Sequence, residues 1–277
     1  MLDSASSAAP ARRERPGERD PRTAALAGGR VLADARVLAS LRSRDPDARE
    51  EMDDPQCDPR TLARTFERFA AVNALVSEPR ALYRRWIRPR LLRGERVRLL
   101  DVGTGGADLP RRLLRWAARD GGALEAVGID PDARAMEAAR ARAPLPGLEL
   151  RQASTRELAA AGERFDVIVS NHVLHHLSPR ELGAILADSE RLAAPGGVVV
   201  HGDLARSALA YAAFAVATLP LRSTVLRDTF IRVDGLASIR RSHTPAELAA
   251  AVPEGWAASG RPPARLELVW SAPARVR

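Results

Sequence analysis

The chain has 277 residues, enough for one large domain with appendages and a sizeable core. Its 43 basic residues are all arginine, and 35 acids leave a formal net charge of +8 and a pI of about 11.0; aromatics are only 4%, so a solvated, ion-paired surface is expected rather than a dedicated nucleic-acid face. A single cysteine, Cys57, excludes an internal disulfide and a cysteine-rich zinc site; with no apolar run of about 18 residues and no charged-then-apolar leader, a cytoplasmic location is expected.

Residues 1 to 58 are rich in Ala, Arg, Pro, Asp and Ser, with breakers from Pro10 to Pro55. This composition predicts a flexible arm, with one stretch of helical apolar spacing at Val31 to Leu41. Residues 59 to 95 predict two helices, through Leu62, Phe66, Phe69 and Asn73, then through Leu82, Tyr83, Trp86, Ile87 and Leu91. Their aromatics either pack a core or line a substrate pocket.

Val97 to Val102 is short, apolar and β-branched, as a buried parallel strand requires. Gly103, Gly105 and Gly106 follow at once, and from Ala107 the period becomes helical through Leu109, Leu113, Leu114 and Ala117. A glycine turn feeding a helix N-terminus is a ligand-binding device, but the ligand class needs a second signal. Asp101 and Asp108 flank this turn and would repel a pyrophosphate, so the string D-V-G-T-G-G-A-D suits a cofactor with a cationic group.

Strands are then predicted at Leu124 to Ile129, Leu148 to Gln152, Phe165 to Ser170 and Val198 to His201, with a helix at Ala133 to Ala143. Asp130 ends the second strand, where a carboxylate can accept two ribose hydroxyls, and Asp130, Pro131 and Asp132 are equally good helix-capping residues. The fourth strand runs into Asn171, His172, Val173, Leu174, His175, His176 and Leu177, and Ser178 with Glu181 caps the next helix. Pro195, Gly196 and Gly197 turn into the fifth strand. Ala208 to Leu221 is a mostly apolar segment, Thr244 caps a late helix, and Leu266 to Trp270 is a last strand.

The string from Asp101 to Ala107 resembles motif I of the class I S-adenosylmethionine-dependent methyltransferases, D-x-G-x-G-x-G, with Ala107 in the last glycine position. Phe165 to Leu177 is similar to the F-D-x-V-x-x-x-x-x-L-H-H-L segment of small-molecule members, and Pro195 to Gly197 to the P-G-G of their L-x-P-G-G turn. The resemblance implies a Rossmann-like, doubly wound α/β fold: a seven-stranded, mostly parallel sheet with an antiparallel last strand, plus N-terminal helices. Residues 59 to 95 would cover the site, 96 to 204 would hold S-adenosylmethionine, and 205 to 277 would supply a lid segment and the final strands. Cofactor contacts would come from Asp101, Gly103, Thr104, Gly105, Asp130, Pro131 and Asn171, with Ser154 where members often carry an adenine-binding Asp. His172 and His175 are the base candidates. No metal is expected, because His172 and His175 have no evident carboxylate partners in the sequence. The implied activity is methyl transfer to a small hydrophobic or aromatic acceptor, at oxygen first and at carbon or nitrogen as alternatives. A non-catalytic cofactor-binding or RNA-binding protein on the same fold stays open at this point.

Overall fold

The computed structural model describes residues 41 to 261 and 264 to 274. The stretch Val31 to Leu41, read as helical, lies outside the described residues but for Leu41, as does most of the expected arm. The described elements begin with α1 (Pro59–Val76), α2 (Pro79–Leu82) and α3 (Arg88–Leu92), with a π-type turn at Tyr83–Ile87 joining the last two. Pro89 lacks the N–H that a regular helix would offer to the Arg85 carbonyl, and the helical bonding widens just ahead of it.

The alternating core follows as β1 (Val97–Val102), α4 (Asp108–Arg119), β2 (Leu124–Ile129), α5 (Ala133–Arg140), β3 (Leu148–Arg151), α6 (Thr155–Ala160), β4 (Phe165–Asn171), α7 (Pro179–Leu192) and β5 (Ala193–Leu204). Then come α8 (Ala208–Thr218), α9 (Ile231–Arg241), α10 (Pro245–Ala251), β6 (Ala257–Arg261) and β7 (Arg265–Ser271). The sheet order is β3-β2-β1-β4-β5-β7-β6. β1 to β5 pair in parallel, and β7 inserts antiparallel between β5 and β6. The expected fold is therefore the observed one.

Alternation explains why these strands read as continuous apolar runs. In β1, Leu99 packs with Leu113, Leu114, Val167 and Val198 on one face, and Leu100 with Ile168, Leu186 and Val199 on the other. Both faces are covered by helices, so the period of two leaves no polar position in the strand centre.

Several boundaries differ from the expectation. β5 begins at Ala193, five residues early, because Ala193 pairs with Phe165 before the register jumps to Val167 opposite Val198. Pro195, Gly196 and Gly197 are accommodated as a bulge rather than a turn; Gly196 has φ +74°, and a Cβ on Gly197 would stand 2.7 Å from the Ala194 carbonyl oxygen. α5 stops at Arg140, α8 stops at Thr218 and gives way to a 3₁₀ turn at Pro220–Ser223, and α6, α9 and β6 add to the predicted elements.

The largest correction concerns residues 41 to 58, read as part of the arm. They form a strap fastened across α9 and the β4–α7 connection. Arg44 Nη2 donates to the carbonyls of His175 and Leu177 at 3.0 and 2.9 Å, and Asp45 N donates to Arg240 O at 3.0 Å. Glu51 N and Met52 N donate to the Asp234 carboxylate at 2.7 and 3.2 Å. Arginine is likewise spent within the fold: Arg98 and Arg151 both pair with Glu163, and Arg151 also with Glu149. Phe165, fully buried where β4 meets the bulge, carries the Arg98 guanidinium over its ring. Phe165→Ala is expected to cost about 3–5 kcal/mol, read as a lowered midpoint in chemical denaturation.

Candidate active site

The carboxyl ends of β1 and β4 are adjacent, and the chain leaves them in opposite directions across the sheet, which opens a crevice there. A cavity of about 440 Å³ occupies it, within the range of small-molecule sites. One lobe is built by the glycine loop. Gly103 and Gly105 have φ of +67° and +51°, and a Cβ on Gly103 would lie 2.5 Å from Val173 Cγ2. The Asp101 carboxylate, 2% exposed, accepts the Thr104 hydroxyl at 2.6 Å. Room for Thr104 comes from Gly128 on β2, whose Cβ would stand 2.8 Å from Thr104 Oγ1. Burial raises the Asp101 pKa to about 7, against the Thr104 hydrogen bond and with help from the Asp130 and Asp108 charges.

Asp130 ties the second strand to this loop. Its Oδ2 accepts Gly105 N at 3.0 Å and its Oδ1 accepts Asp132 N at 2.9 Å. One lone pair on each oxygen remains for a ligand hydroxyl. Burial raises its pKa in spite of these two backbone hydrogen bonds. Pro131 and Asp132 also line the cavity, and Asp132 caps α5. Ser154 is placed elsewhere: its hydroxyl donates to Glu157 Oε2 at 2.8 Å and its side chain caps α6 in a capping box, and it does not line the cavity. Ser154 is thus a helix cap in this structure, for which Ser154-x-x-Glu157 is a readable signal.

At the end of β4, Asn171 and His172 line the cavity and are fixed by Ser77, the residue that ends α1. Asn171 Nδ2 donates to Ser77 Oγ at 2.6 Å, and Ser77 Oγ lies 2.9 Å from His172 Nε2. Accepting from the Asn171 amide leaves the Ser77 hydroxyl hydrogen available to His172 Nε2; in that tautomer His172 Nδ1 carries the proton on the side of Asp203 Oδ1, 3.9 Å away. Burial drives the His172 pKa down to about 4, so this imidazole is neutral at physiological pH. Its φ of +60° is a strained conformation for a non-glycine residue.

His175 has a different setting. Its Nδ1 is 2.7 Å from Asp203 Oδ1 and its Nε2 is 3.2 Å from Glu50 Oε1, in a position only 1% exposed. Burial lowers its pKa, but Asp203 and Glu50 outweigh burial and raise it to about 9. Asp203 is held well below the usual carboxylate range by His175, against its own burial. Enclosed in this way, His175 is not set to take a proton from an acceptor. The carboxylates that the sequence did not place near the histidines are therefore present, and they come from β5 and the strap. Of the other histidines, His201 is a buried core residue between Ser170 and Trp256.

The second lobe is apolar. Phe66 and Phe69 of α1, Phe214 of α8 and Ile231 of α9 line it, with Met52 of the strap. The aromatics of the other N-terminal helical run serve the core: Tyr83 is buried with Ile87 under the sheet and donates to Asp120, and the partly buried Trp86 packs against the same cluster. Among the described residues, no helix is long and apolar enough to cross a membrane. Gly103→Ala adds a clash to left-handed strain, whereas Gly105→Ala, with open space before it, adds strain alone of about 1 kcal/mol. Thermal melting is expected to show the larger loss for Gly103→Ala; the reverse order would contradict the packing of Val173 on this loop.

Comparison with known proteins agrees with this architecture. Residues 99–197 match the family described as "Methyltransferase domain". The chain is 33% identical over 118 residues to the ubiquinone biosynthesis O-methyltransferase of Azorhizobium caulinodans, covering 42% of this chain and 44% of that protein. It is 36% identical over 118 residues to that of a Cereibacter sphaeroides strain, with the same coverage. The chain thus spans less than half the length of these curated relatives. Among solved structures, the plantazolicin methyltransferase BpumL, in complex with a triazolic desmethylPZN analog and SAH, superposes with a TM-score of 0.52 at 13% identity, over 86% of this chain and 97% of that one. An O-methyltransferase family protein from Burkholderia thailandensis gives 0.51 at 17% identity, over 75% and 59%. Over residues 99–197 the chain is thus similar to the methyltransferase domain family, and its sheet has the seven-stranded, mostly parallel order of that fold.

Proposed function

We propose that this protein transfers a methyl group from S-adenosylmethionine to an oxygen of a small, hydrophobic or aromatic acceptor. One observation carries the reading: a single cavity joins an acid-rimmed glycine loop to an apolar lobe, with Asn171 and His172 between them. The residues fit the cofactor. Asp101, Asp108, Asp130 and Asp132 all line the cavity, a setting that favours a cation and opposes a pyrophosphate. The relatives named for O-methylation in ubiquinone biosynthesis, and the solved neighbour holding SAH, support the same choice of acceptor atom and cofactor.

S-adenosylmethionine supplies a methyl group on a sulfonium that is already a good leaving group. The protein's work is then mainly to hold the reactants in line and keep water out. Gly103 and Gly105 leave their backbone bare for close approach, Asp130 presents its two free lone pairs to the ribose hydroxyls, and Asp101 faces the cationic end of the cofactor. Phe66, Phe69 and Phe214 exclude water from the acceptor lobe. His172 is the base candidate: neutral, at the edge of both lobes, with Nε2 as its basic atom and the Ser77 hydroxyl between that atom and Asn171.

Titration calorimetry with S-adenosylmethionine and S-adenosylhomocysteine tests the cofactor. Asp130→Ala is expected to weaken both by about tenfold or more, or about 1.4 kcal/mol; a wild type that binds neither would sink the reading. The Asp101 carboxyl adds a pH signature. With its folded pKa raised to about 7, it contributes stability that is fully present below its usual value of 3.8 and lost as pH rises through about 7. A cationic ligand prefers the ionised form, so S-adenosylmethionine affinity is expected to rise with pH up to about 7 and then level. Asp101→Asn is expected to bind more weakly and to flatten that rise.

A further inference from the structure

The β4–α7 connection and the strap together build a cluster that methyl transfer itself does not use. His175 and His176, in the 3₁₀ turn Leu174–His176, stand with their rings 4.2 Å apart. Each has a carboxylate behind Nδ1: Asp203 Oδ1 at 2.7 Å for His175 and Asp53 Oδ2 at 3.2 Å for His176. Each then turns Nε2 toward the same atom, Glu50 Oε1, at 3.2 and 3.8 Å. The three atoms lie within 4.8 Å of one another. His175 Nε2 is buried and makes no aligned hydrogen bond. Two imidazoles oriented by carboxylates, with their remaining nitrogens converging on a third carboxylate, is the arrangement that holds a metal ion.

We infer that Glu50 Oε1, His175 Nε2 and His176 Nε2 form a binding site for a divalent transition-metal ion, zinc being the ion that this donor set suits best. Tetrahedral zinc with bonds of about 2.0–2.1 Å sets its donors roughly 3.3 Å apart. The Glu50–His175 separation already has that value, and His176, the most exposed of the three at 31%, needs only a small ring movement. Two histidines and one carboxylate also suit iron and other imidazole-loving ions, whereas magnesium and calcium prefer all-oxygen sets. Charge points the same way: Glu50, Asp53 and Asp203 surround the two imidazoles, and Arg241, 3.2 Å from Asp53 and 3.8 Å from Glu50, offsets only part of that negative charge. Ser238 Oγ donates to Glu50 Oε1 at 2.9 Å and fixes the carboxylate from α9.

Three protein donors leave a fourth position open, as in catalytic rather than structural zinc sites. Glu50, His175 and His176 all line the same cavity as Asp130, His172 and Phe214, so the ion would stand in the wall of that cavity. A bound ion there would take an acceptor oxygen and hold it in its anionic form, selecting hydroxylated acceptors over purely apolar ones. This assignment of a role rests on the methyltransferase reading; the binding of the ion does not. The site also gives the strap a task, since the ion would join residue 50 to the β4–α7 connection.

The test uses the full chain, stripped with a chelator and titrated calorimetrically with zinc chloride, alongside Glu50→Gln, His176→Ala and, as a control at a histidine outside the donor set, His243→Ala. The expected result is one zinc ion per chain for the wild type and His243→Ala, affinity lowered about tenfold or more in Glu50→Gln and His176→Ala, and a zinc-dependent rise in melting temperature that those two variants lose. Circular dichroism is the check that both variants fold, as an isosteric replacement at Glu50 and a partly exposed position at His176 favour. No stoichiometric uptake by the wild type, or uptake unchanged in both donor variants, overturns the site. S-adenosylhomocysteine is titrated into the same samples: zinc uptake without cofactor binding upholds the metal site and counts against the methyltransferase reading, and cofactor binding without zinc uptake does the reverse.

Discussion

The structure depends on burying both faces of a parallel sheet. Parallel neighbours cannot be joined by tight turns, so every connection has to run back over a face as a helix. That requirement makes Leu99 and Leu100, consecutive in sequence, core residues of two different layers. It also places all the strand-to-helix turns at one edge of the sheet. Where the chain leaves β1 toward β2 and leaves β4 toward β5, those turns part, and the crevice between them is the site.

The edge is crowded with carboxylates, and each has its own environment. Asp101 is buried against a hydroxyl and is pushed up toward neutrality, Asp130 is divided between two backbone N–H groups, and Asp203 is locked to His175 and stays ionised. The two histidines once grouped as base candidates separate on the same grounds. His172 has a hydroxyl partner and is neutral, while His175 sits between carboxylates. Burial alone would have lowered both; the difference is made by charged neighbours.

Covering elements complete the site from three distant parts of the chain. α1 contributes Phe66 and Phe69, the strap contributes Glu50 and Met52, and α8 and α9 contribute Phe214 and Ile231. The strap is held by Asp234, whose carboxylate accepts the backbone N–H groups of both Glu51 and Met52. A segment of poor intrinsic order is thereby given a defined path by a buried acceptor on α9, and its composition is no guide to that path.

What the sequence determined by itself was whatever local spacing encodes. Apolar runs ending at Asp101 and Asp130, glycines that need a bare backbone, the Ser178 and Thr244 caps and the L-H-H-L turn each depend on residues a few places apart, and all were legible. The Ser154 cap is legible too, through Glu157 three residues on. Only the tertiary structure decided what stands opposite these signals. Nothing in the spacing of residues 41 to 58 shows that Glu50 meets His175 and His176, or that Ser77 orders Asn171 and His172, because those contacts join segments whose separation in sequence carries no period. The edge strand β6, with little apolar content, exists because β7 offers it a row of backbone partners. Local propensity sets the elements, and the closing of the sheet and the fastening of the strap set which side chains share the cavity.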